Sequence, residues 1–208
     1  MSVLESVKIG PTIFYSPLLK RYKLEEFFEL PELEDRSHYE LIEGVLKIVP
    51  PPKFEHGELV SFLTRELVLF LAKNDDPGKV YHPRESIFLE NIWGTYLEPD
   101  MMYVSNELRE TMGNRRTSAD IVFEFLSEST ATYDRTEKAD TYLALGIKEL
   151  WLVDSDHETV EVRNAEKPND NLSWETRIYQ KKEIAESKVL ADWKVSVSEL
   201  FAAVQAKY

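Results

Sequence analysis

The chain has no cysteine. That absence removes disulfides, thiolate zinc centres and a cysteine nucleophile together, and it fits a cytoplasmic protein. No apolar run approaches the ~18 residues that a membrane-spanning helix needs. The first ten residues, MSVLESVKIG, lack the basic segment and apolar stretch of a secretory leader. Cytoplasmic localisation without a membrane partner is therefore the expectation. Basic residues are scarce: 25 Lys and Arg stand against 38 Asp and Glu, a formal net charge of −13. A surface that grips nucleic acid over its whole extent is excluded, because phosphate contacts need Lys and Arg. A local basic site or a metal-bridged one is not. With four histidines and no thiolate, the natural metals are hard, oxygen-liganded cations such as Mg²⁺ or Mn²⁺. Internal repeats and low-complexity tracts are also missing.

What is present suffices for a core. The chain has 208 residues, 43% of them hydrophobic and 12% aromatic, which suits a packed globule. The expectation is one domain over 1–208, with a helical extension at 1–38, a core over 39–163, and strands and a helix over 164–208.

RYKLEEFFELPE (21–32) predicts a short helix ended near Pro31. YELIEGVLKIVPPP (39–52) predicts a hairpin about Glu43-Gly44, stopped by prolines. HGELVSFLTRELVLFLAKN (56–74) is amphipathic: Leu59, Phe62, Leu63, Leu67 and Phe70 recur at helical spacing. KVYHPRESIFLE and YLEPDMMYVS read as strands about the turn NIWG, and SNELRETMGNRR reads as a short helix and loop.

ADIVFEFLSES (119–129) then predicts a strand apolar on both faces, with Glu124 at its centre. YDRTEKADTYLALG predicts a helix closed by Gly146, and KELWLVD (148–154) a further strand. Strand, helix, strand at this spacing is a parallel βαβ unit. ETVEVRN and ETRIYQ read as β structure and SVSELFAAVQ as a C-terminal helix. The fold class is α/β or α+β: a mixed central sheet flanked by helices.

A carboxylate inside such a strand needs a counter-charge, since burying it unpaired costs several kcal/mol. Asp120 shares a strand face with Glu124. A second acid stands at a strand in Glu98-Pro99-Asp100, and the helix after Glu124 carries Asp134, Lys138 and Tyr142 four apart, on one face. Lys138 can therefore lie back over the strand towards Glu124. Converging acids beside a lysine suit metal-dependent phosphodiester hydrolysis. The plainer alternatives are a solvated turn acid at Asp100, a structural ion pair at Glu124, and a surface pair between Lys138 and Asp134. Trp93, Trp151, Trp174 and Trp193 read as core or interface aromatics.

Taken in order, YELIEG, PPP, HGELV, EPDMMYV, DIVFEFLSEST and YDRTEKADTYLALGIKELWLVD resemble the Uma-two family of endonucleases, in the PD-(D/E)XK, restriction-endonuclease-like superfamily. The resemblance runs from about Tyr39 to Arg163, with a weaker echo at LADWKVSVSELF. It implies a restriction-endonuclease-like fold and a Mg²⁺- or Mn²⁺-dependent endonuclease acting on DNA. Asp100 matches the acid of the PD element and Glu124 the second acid, both as metal ligands. The lysine usual two positions later is replaced by Leu126, and Lys138 matches the lysine moved to the next helix. Glu40 and His56 match further motif positions, with site-supporting roles. Ala119-Asp120 stands where the family often has Pro-Asp. Arg84, Arg109, Arg115 and Arg116 are candidate phosphate contacts. Two alternatives stay open: a catalytically inactive binding or interaction protein of the same fold, and a hydrolase of a small phosphorylated molecule. Monomer and homodimer also both stay open, with the aromatic C-terminal region as the candidate interface.

Overall fold

The computed structural model describes residues 7–9, 13–15, 20–167 and 171–205. In chain order the elements begin with strands β1 (Val7–Ile9) and β2 (Ile13–Tyr15), helix α1 (Leu24–Phe28), strands β3 (His38–Ile42) and β4 (Val45–Val49) and helix α2 (Phe54–Lys73). Strands β5 (Gly78–Tyr81), β6 (Ile87–Leu89), β7 (Thr95–Leu97) and β8 (Met101–Ser105), helix α3 (Asn106–Met112) and strand β9 (Ile121–Leu126) follow. Next come α4 (Ala131–Tyr133), a π-helical turn (Asp134–Lys138), α5 (Ala139–Ala144) and β10 (Glu149–Asp154). The chain continues through β11 (Thr159–Glu166), β12 (Ser173–Tyr179), β13 (Ile184–Glu186), β14 (Lys194–Ser196) and α6 (Val197–Gln205).

These elements form two compact units. Met1–Pro51 with Ser86–Glu98 make the first, and Pro52–Glu85 with Pro99–Tyr208 make the second. In the first, a four-stranded antiparallel sheet runs in the order β4-β3-β7-β6. The β3–β4 hairpin turns on Glu43 and Gly44, both at positive φ (47° and 78°). A two-residue loop needs that pair of angles to match the strands' twist, which is why glycine stands second. A Cβ on Gly44 would lie 2.8 Å from the Cβ of Trp93, so close packing also requires it. Tyr22, Leu24, Phe27, Leu41 and Leu46 form this unit's core.

The second unit is built on a six-stranded mixed sheet in the order β12-β11-β10-β9-β8-β5. The β9–β10 pair is parallel, as the βαβ spacing predicts, and every other pair is antiparallel. All residues of β9 and of β10 are buried, which explains why both are apolar on both faces apart from a few acids. Helix α2 turns Leu59, Leu63, Leu67 and Leu71 into the core with Phe123, Trp151, Trp193, Leu200 and Phe201. The three large rings meet there: Phe123 and Trp193 edge to face at 5.9 Å, Trp151 and Trp193 tilted at 5.0 Å. A fully buried leucine stabilises by roughly 1.5–3 kcal/mol, so the leucine stripe anchors the helix firmly.

Two expectations need refinement. Each long strand around NIWG divides in two, at His82-Pro83 and at Glu98-Pro99, because proline offers no N–H to a ladder. The helix after β9 is interrupted by the π turn at DRTEK. Among the described residues, no helix is long and apolar enough to cross a membrane.

Candidate active site

Strand β9 is the centre of the site. Glu124 projects from it with a side chain only 3% exposed. On the neighbouring strand β8, Met101 pairs with Phe123. Asp100 immediately precedes Met101, one step beyond the last paired position. Asp100 is held there by the main chain, its Oδ2 accepting the Phe125 N–H at 2.9 Å.

His56 comes from the first turn of α2. Its Nε2 lies 3.1 Å from Asp100 Oδ1, and its ring packs 5.1 Å from that of Phe125. Nε2 is buried and makes no well-aligned hydrogen bond. Burial raises the Asp100 carboxyl's proton affinity. The His56 contact, the charges of His56 and Lys138, and the Phe125 N–H outweigh that and hold it below the ordinary carboxylate range.

Lys138 closes the π turn and reaches back over the sheet. Its Nζ lies 2.9 Å from Glu124 Oε1 and 4.0 Å from Asp134 Oδ1. The hydroxyl of buried Tyr142 donates to the same Oε1 at 2.5 Å. Tyr142 is a partner of Glu124 that the sequence analysis did not place among the site residues. Its position four residues after Lys138 was the available signal, because that spacing repeats one helix face.

Of the five sequence-predicted site residues, Asp100, Glu124, Lys138 and His56 come together in the second unit. Glu40 belongs to the first, where its Oε1 accepts the Glu98 N–H at 2.9 Å. Asp120, though expected on Glu124's strand face, has its own structural partners, the Ser105 N–H at 2.7 Å and Lys148 Nζ at 2.6 Å. Among the arginines, Arg116 pairs with Glu85 at 3.0 Å and lies 4.0 Å over the Tyr81 ring, and Arg109 bonds Asn106 at 3.2 Å.

A second ionic cluster lies on the strands beyond Glu124. Arg135 Nη2 meets Asp154 Oδ2 at 2.9 Å, and His157 Nδ1 meets the same oxygen at 3.0 Å. Burial raises the Asp154 carboxyl, but Arg135, His157 and the His157 N–H together bring it below its ordinary value. A depressed folded pKa contributes stability that is complete above the unfolded value of about 3.9 and lost as pH falls through the folded one. The stability difference between wild type and Asp154→Asn, from urea unfolding, is expected to be largest near neutral pH. It should shrink steadily below about pH 4.

The donors fit a hard divalent cation in one respect. The carboxylates of Asp100 and Glu124 offer the oxygen ligands such a cation takes. Among the described residues, no group of three or more His, Cys, Asp or Glu could hold a metal. Mg²⁺ needs no such cage, since it commonly takes one or two carboxylates and completes its shell with water and substrate phosphate.

A solved structure described as a "putative nuclease belonging to DUF820" from Anabaena variabilis matches at 22% identity and a TM-score of 0.68, over 88% of this chain and 98% of that one. At that identity the likeness establishes the fold, a restriction-endonuclease-like mixed sheet flanked by helices. No curated protein matches the chain. The Uma2 family model, described as "Putative restriction endonuclease", matches residues 24–198, and the chain therefore belongs to the Uma2 family.

Proposed function

We propose that the protein is a metal-dependent endonuclease that hydrolyses DNA phosphodiester bonds at the Asp100–Glu124–Lys138 cluster. The observation that carries this reading is Lys138 2.9 Å from Glu124, with Asp100 tied through its Oδ2 to the N–H of Phe125, the residue after Glu124. Family membership supports nuclease chemistry in general. Asp100 and Glu124 would hold Mg²⁺ or Mn²⁺, which when bound supplies a Lewis acid and a more acidic water. Asp100 stays ionised for that task because its proton affinity is depressed. Lys138 places a fixed positive charge where the phosphoryl oxygens gain negative charge. His56, whose Nε2 lies 3.1 Å from Asp100 Oδ1, supports the Asp100 carboxylate. Arg84, Arg109 and Arg115 serve as phosphate contacts.

A second reading, a catalytically inactive binding member of the fold, draws on Glu124's bonds to Lys138 and Tyr142 and on the net charge of −13. Calorimetric titration with Mn²⁺, in the presence and absence of a short DNA duplex, separates the two. The expected result is saturable binding that Asp100→Ala and Glu124→Ala each remove. A folded wild-type protein that binds no Mn²⁺ under either condition would establish the inactive reading.

A further inference from the structure

The π turn that delivers Lys138 is gripped by the sheet beneath it. Leu152 on β10 stands opposite both Glu124 on β9 and Glu161 on β11. Residues directly opposite share a face, so the row reads acid, leucine, acid, and at ~4.8 Å per strand the two acids are ~10 Å apart. Above this row the turn carries two cations three residues apart. Lys138 takes Glu124 at 2.9 Å, and Arg135 takes Glu161 at 3.3 Å and Asp154 at 2.9 Å.

The main chain of this segment is held as well. Arg163, two residues along β11 from Glu161, donates from Nε to Glu161 Oε1 at 2.6 Å and from Nη1 to the Arg135 carbonyl at 2.8 Å. Trp174 on β12 donates its indole N–H to the Ala139 carbonyl at 3.2 Å. The two captured carbonyls bracket Lys138. A π turn is a rare insertion of one extra residue into a helix, sustained only where its surroundings favour it. Side chains drawn into the hydrogen-bond ladder are a recognised cause of such distortion.

We propose that Arg163 and Trp174 are positioning residues, which hold the π turn open by binding the Arg135 and Ala139 carbonyls and so keep the Lys138 ammonium on Glu124. The catalytic consequence rests on the nuclease reading above; the structural grip does not. Without the grip the turn relaxes to α-helix. Loss of one residue from the turn changes the helical phase by ~100°, which carries Lys138 off the Glu124 row.

The test compares Arg163→Met, Arg163→Lys and Trp174→Phe with wild type. Acetic anhydride labelling of Lys138, followed by peptide mass, reads its protection without any need for activity. Labelling in Arg163→Met is expected to rise about tenfold or more as the turn opens locally, with smaller rises in the other two variants. Plasmid cleavage by Arg163→Met should lose kcat by about a hundredfold, as displacement of a positioned group does, with KM little changed. Hydrogen exchange should quicken in residues 131–144 while β9 and β10 stay protected. Unchanged Lys138 labelling in both Arg163→Met and Trp174→Phe would overturn the proposal. Exchange that quickens equally in β9 and β10 would also overturn it, because Arg163 would then support the sheet at large. If wild type cleaves no DNA, the nuclease reading fails while the labelling result still decides the grip.

Discussion

Asp100→Asn is expected to cut plasmid DNA at least about a thousandfold more slowly than wild type, in Mg²⁺ or Mn²⁺ alike. A metal ligand's contribution to charge stabilisation is several kcal/mol, and each ~1.4 kcal/mol is a factor of ten in rate. The substitution is nearly isosteric. Its carbonyl oxygen can still accept the Phe125 N–H that Asp100 Oδ2 accepts at 2.9 Å, so the β8–β9 junction survives. What disappears is the negative charge facing His56. Nicking of supercoiled plasmid, with circular dichroism as the check on folding, measures the effect. A folded Asp100→Asn protein that cuts at the wild-type rate would remove Asp100 from the metal site.

The second large effect concerns stability. Lys138 and Glu124 are each about 3% exposed and lie 2.9 Å apart. Removing one partner of a buried pair leaves an uncompensated charge and costs roughly 3–5 kcal/mol. Lys138→Met is therefore expected to lower the unfolding free energy by that amount in chelator-containing buffer. The double variant Glu124→Gln, Lys138→Met should recover most of the loss, because an apolar or neutral replacement of the whole pair is often neutral or better. Tyr142 can still donate to the glutamine carbonyl in place of the carboxylate it now binds at 2.5 Å. A double-mutant cycle by urea unfolding reads the coupling. Recovery of stability with cleavage still absent would mean that the pair is retained for chemistry. Additive losses in the double variant would contradict the argument.

Much of this was legible in the sequence, for identifiable reasons. The apolar runs at 121–126 and 149–154 could only be strands covered on both sides, and they are the central parallel pair. The leucine stripe of α2 carried its helical period openly, and the distance from Glu124 to Lys138 was short enough for the helix to fold back over the strand. The π turn was hidden because α and π turns differ by one residue per turn, below what side-chain periodicity resolves over five residues. The roles of Arg163 and Trp174 were hidden too, since both act on carbonyls far away in sequence. The alternation rule set Asp120 with Glu124, but could not foresee that Lys148 would claim it. Pro99 was the overlooked local signal that separates β7 from β8, which lie in different units.

The strand order of the second unit has a consequence for synthesis. Across the sheet from one edge to the other, β5, β8, β9, β10, β11 and β12 appear in the order in which the ribosome makes them. Each newly emerged strand finds its docking edge already present, in the strand of that unit made just before it. Growth is vectorial, and the long loop closures that slow non-local pairing are avoided. The same order fixes the most vulnerable nascent chain. One that stalls after β10 presents a strand with a four-residue apolar centre, Leu150 to Val153, as its free edge, a ready template for aggregation until β11 arrives to cover it.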